Sequence, residues 1–256
     1  MQETDLYQLL KDLYRDQLAL KYDEYLHIQS RSEGGLRRRI DAFLKYKPYL
    51  KPGRILDWGC KHSVDGCFIR HTLGKDVTLL GCDTCEGDYE VFHRYANLEY
   101  TQLKHPYQLP YADNEFDAVI CSGVLEHVPN DSESLKEIYR ILKPRGRLFI
   151  TFLPNQYSYT ENILEWWGGC SYHQRRYVLA QAKRKFLDHG FVTRFSTYHQ
   201  IIPSFSGEES TKFARIPFLL ALIRFLFTFN NVLERIWVLR LFSSNLIFVL
   251  SKAESV

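Results

Sequence analysis

Four places in the sequence bring together residue types that could do chemistry. The first is Asp57-Trp58-Gly59-Cys60-Lys61-His62-Ser63, which follows the short apolar run Arg54 to Trp58. A glycine at a strand end lets main chain approach a ligand closely, and a helix starting beyond it offers free N–H groups to an anion. The segment does not fit G-x-G-x-x-G, because Lys61 and Val64 stand at the later glycine positions. Nor is there a P-loop: Gly74-Lys75 is followed by Asp76, and Ile69 stands where its first glycine belongs. A tight strand–helix turn explains the segment equally well.

The second is Asp83, 24 positions beyond Gly59 at the end of another apolar run. A carboxylate at about this spacing can accept hydrogen bonds from ribose hydroxyls. Asp is also a common strand-end cap, so the spacing to Gly59 carries the functional reading. Third come His127, beside Glu126, and His173, which opens HQRRY. Imidazole exchanges a proton near neutral pH, so both are candidate general bases. Each also has a structural reading, as a helix-entry or packing residue. The fourth is Cys82-x-x-Cys85, with metal-ligand and redox spacing. No second such pair completes a zinc set, so idle thiols are expected here and no metal site.

The positioning elements follow from hydrophobic periodicity. Leu6 to Leu26 has helical spacing, and a second helix is expected from Leu36 to Lys47, stopped by Pro48. Arg54–Trp58, Val77–Cys82, Leu98–Leu103, Phe116–Ser122, Arg147–Leu153, Phe191–Tyr198 and Asn245–Ser251 read as short strands. Between them, Ser63 is expected to cap a helix through Leu73, Asp131 or Ser132 to cap one through Leu142, and Val178–His189 to form another. Strands alternating with helices imply a doubly wound α/β sheet, mostly parallel with an antiparallel closing strand and helices on both faces. Ligands of such sheets bind beyond the carboxyl ends of the strands, at the switch point.

Composition narrows the class. The chain has 256 residues, 45% of them hydrophobic, with 33 basic against 30 acidic side chains. That excludes a mainly disordered chain and leaves no charge excess arguing for nucleic acid. The polar stretch from Met1 to Gln29 has no apolar core for a secretory signal, and six cysteines in such a chain read as reduced thiols. A cytoplasmic protein is expected.

RILDWGC, LLGCD, LPYADNEFDAVICSGVLEHVPN and LKPRGRLFITFLPN, in that order, resemble the successive motifs of class I S-adenosylmethionine-dependent methyltransferases. The similarity is nearest the small-molecule and quinone-type branch (type 11) and spans Gly53 to Asn155. It implies S-adenosylmethionine as cofactor, with Asp57, Gly59, Cys60 and Lys61 under its methionyl part and Asp83 with Thr84 at the ribose. It places Ser122 and Gly123 along the open side, and Pro154 and Asn155 toward the substrate. Two departures stand out: Lys61 and Ser63 replace the later glycines of the turn, and His105 stands where an adenine-binding Asp is usual. A neutral imidazole can accept that hydrogen bond.

The expected architecture is one domain over 1–256, with an N-terminal helical lid (1–50), a cofactor core (51–155) and a substrate-facing cap with closing strands (156–256). The expected function is methyl transfer to a small, lipophilic acceptor, with His127 or His173 as base. An RNA methyltransferase and an inactive binding scaffold are the alternatives, although Arg175-Arg176 and Lys183-Arg184-Lys185 read better as a solvated face than as a nucleic-acid stripe. Ile216 to Phe229 has 14 residues and one charge, too few to span a bilayer core of about 30 Å. With its basic flanks, 212–242 reads as a cap or homo-oligomer surface, or as a membrane-surface segment giving peripheral contact.

Overall fold

Neighbouring apolar residues in the strands face opposite sides of one sheet, as the two-residue period of a strand requires. Ile55, Leu79, Ala118, Phe149 and Val249 join one buried cluster; Leu56, Leu80, Val119, Leu148, Ile150 and Phe248 join the other. These are features of a computed structural model that describes residues 3–105, 108–160, 173, 175–202, 225–226 and 229–253.

Three helices come first: α1 (Glu3–Leu20), α2 (Glu24–Arg31) and α3 (Glu33–Tyr46). The helix expected over Leu6 to Leu26 is thus two helices. Asp23 breaks it by turning its carboxylate onto the Leu26 N–H as an N-cap. Then follow β1 (Gly53–Trp58), α4 (Val64–Leu73), β2 (Val77–Asp83), α5 (Glu90–Ala96), β3 (Leu98–Gln102), β4 (Phe116–Ser122), α6 (Asp131–Ile141) and β5 (Leu142–Pro154). The chain continues through α7 (Leu179–Asp188), β6 (Phe191–His199), the single turns α8 (Asn230–Leu233) and α9 (Trp237–Arg240), and β7 (Asn245–Lys252).

The strand order is β3-β2-β1-β4-β5-β7-β6, and only β7 runs antiparallel to its neighbours. The expected sheet is present, including its antiparallel closing strand. Winding reverses between β1 and β4, where the chain returns from one edge to continue on the other side of β1. The carboxyl ends of these two strands therefore diverge into a crevice. One face is covered by α1, α3, α4 and α5 through Leu10, Tyr14, Ile40, Phe43, Phe68 and Phe92. The other is covered by α6 and α7 through Leu135, Ile138, Ala182 and Phe186.

Two helix starts differ from expectation. Asn130, not Asp131 or Ser132, caps α6 by accepting from the N–H groups of Ser132 and Glu133. Asp131 instead meets Lys185 Nζ at 2.5 Å and the Tyr177 hydroxyl at 2.9 Å, tying α6 to the later cap segment. Ser63 precedes α4 but makes no side-chain cap, for a reason found in the site.

Candidate functional site

The turn after β1 runs through three residues with positive φ: Gly59 (68°), Lys61 (46°) and Ser63 (53°). A Cβ on Gly59 would lie 2.4 Å from Val124 Cγ2, so glycine is required there for packing as well as conformation. Lys61 and Ser63 adopt without glycine the backbone shape that glycines usually supply, at about 1–2 kcal/mol each. Neighbouring contacts hold them. The Lys61 N–H donates to Asp83 Oδ2 at 2.9 Å, the Lys61 carbonyl meets His93 Nε2 at 3.0 Å, and the ammonium sits 3.3 Å above the Tyr25 ring. Ser63 Oγ donates to Asp57 Oδ2 at 2.6 Å, which is why it does not cap α4.

Asp57 and Asp65 are both buried beneath this turn. Burial, and then the charge of Asp65, hold the Asp57 carboxyl above the ordinary carboxylate range. Asp65 is also raised by burial, although Tyr46 donates to it at 2.5 Å. Thr151 Oγ1 donates to Ser122 Oγ at 2.8 Å, so the end of β4 is braced by β5. Gly123 then turns with φ 67°.

One cavity of about 280 Å³ opens at the crevice. Asp57, Gly59, Cys60, Lys61 and His62 line one end; Ser122, Gly123, Glu126, His127, Phe152 and His173 line the other; Tyr25, Arg38 and Arg39 reach in from α2 and α3. Arg38 stacks 4.8 Å above Phe152, a residue at φ 58° in the bulge of β5. Among the described residues, Arg38 Nε, Arg39 Nε and His62 Nδ1 are buried without a hydrogen-bond partner. Burial, and then Arg39, lower Arg38 to about 10, so it remains a cation at neutral pH.

At the far end, burial pushes the Glu126 carboxyl up to about 7, and its Oε2 also has no partner among the described residues. His127 Nε2 lies 3.8 Å from Glu126 Oε1, and the His127 and His173 rings are 5.5 Å apart. Burial, and then His173, lower the His127 pKa.

The structure thus brings Asp57, Gly59, Cys60, Lys61, Ser122, Gly123, His127 and His173 to one cavity. Asp83 and Thr84 stand at the adjoining strand end, behind the Lys61 backbone. His105 is exposed in the loop after β3, outside that lining. Pro154 ends β5, and the Asn155 side chain turns away to donate to the carbonyls of Leu241 and Ser243. Cys82 is buried, Cys85 exposed, and both are free. Arg38, Arg39 and Glu126 were missed as lining residues. Both arginines are half-buried, with their Nε atoms fully covered once α3 docks, which nothing local in the sequence announces.

Residues 56–150 match the family described as a methyltransferase domain. The demethylmenaquinone methyltransferase of Symbiobacterium thermophilum is 31% identical over 147 residues, which is 55% of this chain and 57% of that protein's length. A chain in the complex of the Haloferax volcanii Trm112 methyltransferase activator superposes with a TM-score of 0.60 at 18% identity, covering 93% of this chain and 97% of that one. The 1,6-didemethyltoxoflavin-N1-methyltransferase of Burkholderia thailandensis, solved with 1,6-didemethyltoxoflavin and S-adenosylhomocysteine, superposes at 0.57 with 13% identity over 95% and 88% of the two chains. At those identities the superpositions speak for the fold. Residues 56–150 thus carry a methyltransferase domain, the chain spans little more than half the length of the curated relative it matches, and the superpositions show a shared fold.

S-adenosylmethionine is the methyl donor of this family. The cavity suits it on chemical grounds, because the two buried guanidinium Nε–H groups, without a hydrogen-bond partner among the described residues, match a methionyl carboxylate. No helix among the described residues is long and apolar enough to cross a membrane.

Proposed function

We propose that this chain transfers a methyl group from S-adenosylmethionine to a small acceptor held between the Gly59 turn and the Glu126–His127–His173 cluster. The carrying observation is that one cavity is lined by residues of both ends. Asp57, Gly59, Cys60 and Lys61 would hold the methionyl part, Arg38 and Arg39 its carboxylate, and Asp83 with Thr84 the ribose. His105 remains the candidate for adenine, on a loop that would have to turn inward. The bound cofactor supplies a methyl group already activated by its sulfonium, open to in-line displacement.

The protein's own tasks are then alignment and exclusion of water. Residues 1–50 act as the lid, since α2 and α3 supply Tyr25, Arg38 and Arg39 to the cavity. Where the acceptor atom carries a proton, His127 or His173 removes it, with Glu126 orienting the pair. A quinone precursor is the first acceptor to try, given the demethylmenaquinone relative. A nucleic-acid substrate has less support, because Arg175 and Lys185 are engaged within the fold.

Single-turnover methyl transfer to quinone precursors, with S-adenosylhomocysteine release as readout, tests this reading. Replacing the base with Ala should lower the rate by about 10²–10⁴ with cofactor affinity retained. No transfer to any acceptor by a protein that binds the cofactor would leave a binding scaffold instead.

A further inference from the structure

Glu126, His127 and His173 offer three ligand atoms that all lie within 4.8 Å of one another. Glu126 and His127 are adjacent in the turn after β4, whereas His173 comes from a segment 46 residues later. Their meeting is therefore a product of the tertiary fold, not of local sequence.

Arg175 fixes that meeting. Its guanidinium donates to the carbonyls of Leu125 at 3.1 Å, Val128 at 3.0 Å and Pro129 at 3.1 Å. Three bonds to one turn, from a residue two positions beyond His173, hold the two ligand-bearing segments against each other. Tyr177 and Lys185 extend the brace through Asp131. Such support around a ligand set is what orients donors and tunes their affinity.

The second observation is the state of Glu126. Its side chain is 2% exposed, it lines the cavity, and Oε2 has no hydrogen-bond partner among the described residues. Buried carboxylate oxygens are ordinarily satisfied. His127, by contrast, is 56% exposed at its side chain and stands at the rim, leaving a way in.

We propose that Glu126, His127 and His173 form a binding site for a divalent transition-metal ion at the acceptor end of the cavity. One carboxylate and two imidazoles suit Zn²⁺, Fe²⁺ or Mn²⁺, and three protein ligands leave a position open on the cavity side. Donors around such an ion stand about 3.3 Å apart, so atoms as far apart as 4.8 Å close by up to about 1.5 Å on binding. With the ion bound, the imidazoles would serve as ligands rather than as the base, and the open position would take an acceptor oxygen, lower its pKa and hold it facing the Gly59 turn. That role rests on the proposed methyl transfer, whereas ion binding does not.

The test uses the full chain, stripped with a chelator and titrated with Co²⁺ and then Zn²⁺, without cofactor or acceptor. One equivalent of Co²⁺ should bind with visible d–d bands, and Zn²⁺ should displace it. Glu126→Gln and His173→Ala should each weaken Co²⁺ at least about tenfold, while keeping S-adenosylhomocysteine affinity as the check on folding. If Glu126→Gln does not fold, His127→Ala on the rim must show the same weakening. Absence of saturable binding overturns the proposal, as does binding unchanged in these variants. A spectrum dominated by thiolate charge-transfer bands would place the ion on cysteines and overturn it too. Since no methyl transfer is measured, failure here is separate from failure of the enzymatic reading.

Discussion

The Asp83 carboxylate accepts a hydrogen bond from the Lys61 main-chain N–H at 2.9 Å, so the acid at the end of β2 holds the turn at the end of β1. It also receives the Thr84 hydroxyl at 3.4 Å and the Cys85 N–H at 3.3 Å through its other oxygen. Oδ1 is thus taken up by Thr84 and Cys85, while Oδ2 braces the turn with one bond and keeps one acceptor site, which a ribose hydroxyl would use. Asp83→Ala should weaken S-adenosylmethionine binding by about 1.5–3 kcal/mol, the range for charge-assisted hydrogen bonds. Asp83→Asn should lose less, because its amide oxygen can still accept from Lys61. Titration calorimetry showing unchanged affinity in a folded Ala variant removes Asp83 from the site.

Lys61 allows strain and attraction to be separated. Its φ of 46° disfavours any side chain, but its ammonium gains from the Tyr25 ring. Lys61→Ala loses the attraction and keeps the strain; Lys61→Gly loses both. The Gly variant should be more stable than the Ala variant by about 1–2 kcal/mol, less the entropy that glycine adds to the unfolded chain. Denaturant melts of the two variants give the difference. Equal midpoints would mean that the strain is no larger than glycine's entropic cost of about 0.4–1 kcal/mol, and a less stable Gly variant would overturn the strain reading.

The sheet was legible because its central strands are short apolar runs, buried on both faces, bounded by Gly or Asp. Helix α5 was not expected: seven residues, Glu90–Ala96, are too few for a period to show. The break between α1 and α2 was hidden because helical spacing continues across Lys21-Tyr22-Asp23. Near the cavity, spacing pointed to Gly59 and Asp83; the structure puts Gly59 in the cavity lining and Asp83 against the Lys61 backbone beside it. Glu126 was seen only as the neighbour of His127, since nothing local announces that its carboxylate is buried or that Arg175 returns to pin its turn. Residues 212–224, 227 and 228 of the segment over 212–242 lie outside the described residues, as does Cys170.

The described end of that segment exposes Phe225, Phe229, Val232 and Trp237. If these residues meet a membrane surface, the protein should sediment with anionic vesicles and release at high salt. If they meet a second copy of the chain, vesicles should leave it in solution, and Trp237→Ser should shift a dimer to monomer in sedimentation velocity. A monomer that ignores vesicles removes both readings.

Asp57 gives the pH dependence a definite sign. Burial and the Asp65 charge raise its folded-state pKa above the ordinary value of 3.8, so the folded chain keeps a proton that the unfolded chain gives up. With fewer protons bound in the unfolded state, this group's contribution to stability is complete below that ordinary value. It is lost as pH rises toward the raised one. Asn cannot ionise; its oxygen can still accept from Ser63 Oγ, and its amide can face Asp65. Asp57→Asn should therefore be close to the parent near about pH 4 and gain on it toward neutrality, by up to about 1.4 kcal/mol per pH unit. Urea melts of both proteins across that range measure the difference. A variant whose deficit or gain is constant with pH would show that Asp57 is ionised in the folded protein, with Asp65 carrying the shared proton instead.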